Sequence, residues 1–377
     1  MIYFDNAASS FPKPPLVSKS VGKWLDINGA NPGRSGHKPS IEASKIVYNT
    51  RESLANMFNI TMPENVAFVP NATYGLNVLI QGIMQKGDHA VTTNLEHNSV
   101  LRVLNLISSR GVSYDVADVD LYDDCKTIDN ILKLINKKTK AVICTQCSNV
   151  CGKIMPLKSL SDALPENVVL IVDGSQGAGI IPTDLEELDI DYYCAPSHKG
   201  LLGPQGCGFI AIRGAMPKAV IVGGTGSESF SFAQPEYLPD FIESGTLPTP
   251  IIRGMYEGIK FIQNIGIEKI YNKKKMLTDY ATEQLMKVNG VITYTDPARS
   301  EFIGCTCFNV ENTHSDKVSD YLAKNDICVR SGFHCAPLFH KKMKTENIGM
   351  IRISFGYYND KNEIDFLIKK LNNYLKN

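Results

Sequence analysis

From about residue 65 to residue 212 the chain alternates short apolar runs with longer segments whose apolar positions recur at helical spacing. The runs Val66–Val69, Ala90–Thr93, Val112–Val116, Ala141–Thr145, Val168–Val172, Ile190–Cys194 and Cys207–Ile212 read as strands. Between them, Thr73–Met84, Ser99–Ser109, Thr127–Asn136 and Leu157–Ala163 read as helices. This alternation predicts an α/β fold with a large, mostly parallel sheet. Ligands on such sheets bind at the carboxyl ends of the strands.

The pattern then changes. A loop-rich stretch runs from Val222 to Pro250, followed by helical periodicity over Ile252–Ile265 and Ile267–Val288. Apolar runs near Gly304–Val310 and Met350–Phe355 predict a smaller C-terminal α+β domain. Ile364, Leu367, Leu371 and Leu375 mark a closing amphipathic helix. A chain of 377 residues is long for one core. The expected division is a large domain over 15–255 and a small one made of 1–14 and 256–377.

Composition removes several classes. The chain is 43% apolar and 21% charged with a net charge of zero, so it reads as globular, with no bias toward nucleic acid or anionic membrane. The longest uncharged run, 65–85, contains Pro70, Asn71, Asn77 and Gln81 and does not read as a membrane span. The start, Met1-Ile2-Tyr3-Phe4-Asp5, lacks the regions of a signal peptide, which predicts a cytoplasmic protein. Ten cysteines in a reducing compartment are expected to be free thiols. Cys194, Cys207, Cys305, Cys307 and Cys328 lie in apolar runs as small core residues.

Candidate chemistry gathers at the strand ends. After Val66–Val69, Asn71-Ala72-Thr73 opens a helix, which suits a phosphate or an ordinary cap. After Ala90–Thr93 comes His97, able to stack on a ring or move protons. Ser148-Asn149 follows Ala141–Thr145. Asp173-Gly174-Ser175-Gln176 follows Val168–Val172, and an acid there can pair with a protonated pyridine nitrogen. Ser197-His198-Lys199 follows Ile190–Cys194, a place for a lysine that forms an imine with pyridoxal phosphate (PLP).

A second constellation is Arg330-Ser331-Gly332-Phe333-His334-Cys335-Ala336. Arg330 has the fork that matches a carboxylate, and a thiol near cations such as Cys335 tends to be a nucleophile. Arg352, inside a strand-like run, needs an internal acid or a substrate carboxylate. Cys144-x-x-Cys147-x-x-x-Cys151 supplies three thiols without a fourth ligand, so no metal is expected.

Taken in order, these motifs resemble those of PLP-dependent cysteine desulfurases and selenocysteine lyases, with the class V aminotransferase fold (aspartate aminotransferase-like, fold type I). Tyr3-Phe4-Asp5-Asn6-Ala7-Ala8, Asn31-Pro32-Gly33-Arg34-Ser35-Gly36-His37 and Glu243-Ser244-Gly245-Thr246 extend the match. The Arg-x-Gly-x-His-Cys-Ala pattern and the short loop after it resemble the group II branch, although Phe333 stands where many members have a second histidine. The resemblance implies that Lys199, Cys335 and His97 are catalytic. It implies that Thr73, Ser197 and His198 bind phosphate, with Thr246 reaching in from the second subunit of a homodimer, and that Ala72 also belongs to the cofactor site. Asp173 would pair with the ring nitrogen, Gln176 would contact the phenolic oxygen, and Asn149 would lie beside cofactor and substrate. Arg352 would hold the substrate carboxylate, with Arg330 and His37 also on the substrate side. Cys335 would take sulfur from L-cysteine, leave L-alanine, and pass a persulfide to an acceptor protein in sulfur metabolism such as iron–sulfur cluster assembly. The competing readings are a selenocysteine lyase, a transaminase or other PLP lyase, and a non-catalytic sulfur relay.

Overall fold

The computed structural model describes residues 1–33 and 35–376. Seven strands form the main sheet in the spatial order Val66–Val69, Gly208–Ile212, Tyr192–Pro196, Val169–Asp173, Thr139–Thr145, His89–Thr93 and Ser113–Ala117. Gly208–Ile212 alone runs against its neighbours, and the remaining pairings are parallel. The carboxyl ends of six strands therefore share one edge. The strand order turns between His89–Thr93 and Thr139–Thr145, and such a switch point leaves a crevice at the strand ends.

These strands read as continuous apolar runs because helices cover both faces. Tyr193, Ala195 and Phe209 pack into one core, and Tyr192, Cys194 and Ile210 into the other. Two elements sit differently from expectation. The strand expected over Ile190–Cys194 is Tyr192–Pro196, because Asp191 is spent on a turn: its carboxylate accepts Leu170 N–H at 2.8 Å and its carbonyl accepts Arg213 N–H. The helix expected from Thr127 starts at Asp124, capped by Asp123, whose carboxylate accepts Lys126 N–H at 2.9 Å.

A smaller antiparallel sheet carries Arg330–Gly332, Met350–Ser354, Cys305–Val310 and Val291–Thr293 in that order. Its core includes Phe4, since Ile2–Tyr3 pairs with Ile327–Cys328. Helices Pro15–Ile27 and Lys38–Phe58, which the apolar pattern did not announce, pack on Thr249–Ile265. That last helix runs through residue 255, the expected domain limit. No helix among the described residues is long and apolar enough to cross a membrane.

From Ile212 to Thr249 the described chain has no helix or strand. One buried ion pair pins its far end. Arg51 grips Glu243 through both guanidinium ends, at 2.8 and 3.0 Å, and Glu243 also accepts Phe68 N–H at 2.6 Å. Removing one partner strands the other charge. Arg51→Met is expected to lower stability by about 3–5 kcal/mol, read as a fall in the urea midpoint, and adding Glu243→Leu should recover part of it.

Candidate active site

A cavity of about 240 Å³ lies at the carboxyl edge of the main sheet and is closed by the smaller sheet. Its floor is a phosphate-sized cradle. Asn71 caps helix Ala72–Ile83 and its side chain accepts Tyr74 N–H at 2.9 Å, which leaves the N–H groups of Ala72 and Thr73 facing outward at the positive end of the helix dipole. Beside it, Ser197 Oγ and His198 Nδ1 are buried without a partner. Two orphaned polar atoms next to a helix N-terminus fit an anionic group that would meet them.

Asp173 ends its strand almost fully buried. One carboxylate oxygen accepts Ser175 N–H at 2.9 Å, and among the described residues no hydrogen bond reaches the other. His97 caps helix Asn98–Ser108, with Nδ1 accepting Ser99 N–H at 3.0 Å. That bond puts the proton of the neutral ring on Nε2. Burial pushes His97 down to about 4, with Lys199, Arg330 and Arg102 helping and Asp173 opposing. Gln176 lines the same wall and donates from Nε2 to the Ala7 carbonyl at 2.9 Å.

Lys199 faces this wall. Burial is the main cause that holds its amine down to about 8; Asp173 opposes the shift, and Arg352 and Arg330 add to it. Among the described residues its Nζ has no hydrogen-bond partner. At pH 7 roughly one lysine in ten is then a free amine, against fewer than one in a thousand for an ordinary side chain. The peptide that carries it is clamped from the N-terminus: His198 O accepts Ser10 N–H at 3.0 Å and Lys13 Nζ at 2.7 Å.

Two arginines close the opposite side. Arg330 and Arg352 are directly opposed across neighbouring strands, an arrangement of like charges that is unfavourable unless anions meet it. Asp5 takes one share, accepting from Arg352 Nη2 at 2.7 Å, while Arg352 Nη1 donates to the Asn149 carbonyl at 2.9 Å. Arg352 Nε is buried without a partner, and among the described residues the Arg330 guanidinium has none. The pair fits a carboxylate.

Cys335 sits between the arginines and His97, in a turn closed by Ala336 N–H to Phe333 O at 2.9 Å. His334 and Cys335, its central residues, both have positive φ, 48° and 57°. Asn149 Nδ2 donates to the His334 carbonyl at 2.7 Å, and Asn98 N–H to the Cys335 carbonyl at 2.8 Å. Cys335 also lines a second groove outside the cavity, with Arg102, Val103 and Leu106.

Ala72, Thr73, His97, Asn149, Asp173 and Gln176 thus share one cavity with His198, Lys199, Arg330, Arg352 and Cys335. Ser197 lies just behind its wall. Two expected residues lie elsewhere in this chain. Thr246 lines a separate cavity with Gly224 and Gly245, and His37 is an exposed cap whose Nδ1 accepts Ser40 N–H. Arg34 lies outside the described residues. Two further contributors carry no role in the sequence reading. Asp5 is one. Glu96 is the other: fully buried, it accepts Thr93 Oγ1 at 2.6 Å and Thr145 N–H at 3.0 Å, and burial pushes it up to about 8 with Asp173 adding to the rise. An acid immediately before His97 at a strand end was the available signal.

A family profile for class-V aminotransferases covers residues 2–367. The chain belongs to that family. It is 32% identical to a probable cysteine desulfurase of Borreliella burgdorferi, over the whole of this chain and 92% of the relative. Identity to the probable cysteine desulfurase of Methanothermobacter thermautotrophicus is 29%, over 97% of this chain and 92% of the relative. Among solved structures, a cysteine desulfurase from Thermococcus onnurineus superposes with a TM-score of 0.92 at 28% identity, covering all of this chain and 94% of that one. The expected PLP-dependent fold is borne out by these matches.

The buried imidazoles of this class-V family member set an acid limit. His97, His198 and His340 are each held down to about 4, and His334 well below its usual value, chiefly by burial. Unfolded, each takes up its proton near pH 6.5. On these histidines the unfolded chain then binds more protons than the folded one, so their contribution to stability is full above about pH 6.5 and is lost as pH falls toward about 4, with the raised Glu96 opposing by a single group. Urea midpoints measured across that range should decline with acid, and His340→Gln should decline less steeply. A flat profile would contradict this.

Proposed function

We propose that this protein is a PLP-dependent cysteine desulfurase that converts L-cysteine to L-alanine and stores the sulfur as a persulfide on Cys335. The observation that carries this reading is the shared cavity: a buried lysine without a hydrogen-bond partner among the described residues, a buried carboxylate and a thiol all line it. The residues fit PLP: Ala72, Thr73, Ser197 and His198 would hold its phosphate, His97 would meet its ring and Asp173 its ring nitrogen. When bound, PLP supplies an electron sink for the substrate's Cα.

The chain's own groups do the rest. Arg352 and Arg330 hold the substrate carboxylate, and Asn149 keeps Arg352 in place. Lys199 would hold the cofactor through its amine and would move the Cα proton. Asp173 would keep the ring nitrogen protonated. The Cys335 thiolate attacks the substrate sulfur, so an S–S bond forms as the Cβ–S bond breaks. The electron pair leaves with Cβ, which ends as a methyl group after protonation. The balance is L-cysteine plus a thiol giving L-alanine plus a persulfide.

The groove outside Cys335 supports delivery of the sulfur to an acceptor protein. The distance of Thr246 from its own chain's cavity supports a homodimer in which it serves the other subunit's phosphate. Ten unpaired cysteines support work in the reducing cytoplasm.

Cys335→Ala should keep the PLP absorbance while alanine and sulfide formation from cysteine is lost. Unchanged turnover would sink the proposal. Running the same assay on equal concentrations of cysteine and selenocysteine separates a desulfurase from a selenocysteine lyase. The arginine role has its own readout. Wild-type enzyme should prefer cysteine over cysteamine, which lacks the carboxylate, and Arg352→Met should lose about tenfold or more of that preference, on the order of 1.4 kcal/mol.

A further inference from the structure

A small cavity of about 20 Å³ adjoins Lys199, and Cys335 does not line it. That volume admits about one water-sized particle. Lys274, from the middle of helix Ile267–Met286, lines it and is 8% exposed. Among the described residues, no hydrogen bond or ion pair reaches its Nζ. Lys199 lines the same cavity, and no aspartate or glutamate does.

The surroundings offer no counter-charge. The titratable groups that act on Lys274 are the thiols of Cys147 and Cys305. Both are buried, which pushes Cys147 well up and Cys305 up to about 12, so both stay neutral. Cys147 packs with Ile180 and Ile303 in an apolar cluster. Three polar neighbours already donate elsewhere: Ser10 Oγ to the Lys199 carbonyl, Gln176 Nε2 to the Ala7 carbonyl, and Asn6 Nδ2 to Tyr3 O and Ser354 O. A buried ammonium without an acid is expensive, and a second lysine on the same space raises that cost.

We propose that this cavity is a binding site for one small monovalent anion of chloride's size, held by Lys274 next to Lys199. The anion neutralises Lys274 and sets the field at Lys199. The cavity shares Lys199 and Gln176 with the candidate active site, but Lys274, the residue that would hold the anion, lies outside that site and has no part in the desulfurase reading.

The test uses the PLP-loaded protein. Crystals grown in sodium bromide should show an anomalous bromide peak in the cavity beside Lys274, and crystals of Lys274→Met should lack it. In solution, the melting temperature of the wild type should rise saturably with bromide relative to gluconate at matched ionic strength, as binding to the folded state requires. Lys274→Met should show no such difference. A wild-type cavity that holds only water overturns the proposal, as does a bromide peak or a halide-specific rise that survives in Lys274→Met. The wild-type crystal and melting curves decide the matter even where the variant folds poorly. Neither readout involves turnover, so failure here leaves the reaction assay untouched.

Discussion

A guanidinium at 2% exposure has lost its water, so its N–H groups must be met by protein or ligand. Arg352 is in this position, near the middle of the smaller sheet and directly opposite Arg330. Its partners come from far along the chain: Asp5 near the N-terminus and the carbonyl of Asn149 at the edge of the main sheet. The demand of one buried cation therefore fixes how the N-terminal segment, the main sheet and the smaller sheet meet. The meeting place is the cavity. Asp5 and a carbonyl offset only part of the charge of two opposed arginines, and what remains is uncompensated positive charge that fits a carboxylate.

The same logic explains Lys199. Its amine is kept low chiefly by burial, and Asp173 opposes rather than causes the shift. The peptide that carries it is held by Ser10 and Lys13, again from the N-terminal segment. This segment has few residues in regular structure, yet it reaches both the lysine and the arginine. A short stretch of chain can do so because its first strand is anchored beside Ile327–Cys328 and its next residues cross the mouth of the main sheet.

Much of this was legible in the chain because parallel strands turn one-dimensional order into a shared edge. Once Val66–Val69, His89–Thr93, Thr139–Thr145, Val169–Asp173 and Tyr192–Pro196 are strands running one way, the residue after each must lie near the others. That constraint places Thr73, His97, Asn149, Asp173 and Lys199 together. It says nothing about long-range pairings made by side chains alone. Asp5 with Arg352, Arg51 with Glu243, and the clamp of Lys13 on His198 have no periodic signature. Helix Lys38–Phe58 escaped for a related reason: its buried set includes Ser40, Thr50, Arg51 and Ser53, so polarity along the sequence does not mark its inner face. Lys274 is the extreme case, a charge on an otherwise apolar helix face that hydropathy assigns to water.

Cys335 shows how a thiol can be held without a long arm. Its turn puts two residues with side chains at positive φ, each costing about 1–3 kcal/mol. Such strain persists only where surrounding contacts over-determine the backbone. Here Asn149 holds the carbonyl before Cys335, Asn98 holds its own carbonyl, and the His334 ring lies 3.1 Å from the Met350 carbonyl. The loop is thereby fixed to both sheets. In the proposed reaction Cys335 would carry sulfur on this short tether with no room to swing outward, so sulfur would arrive and leave within reach of one fixed Sγ. The position of Cys335 fits that proposal, since it lines both the cavity and the more open groove that adjoins it. Under the same proposal the acceptor would come to the cysteine.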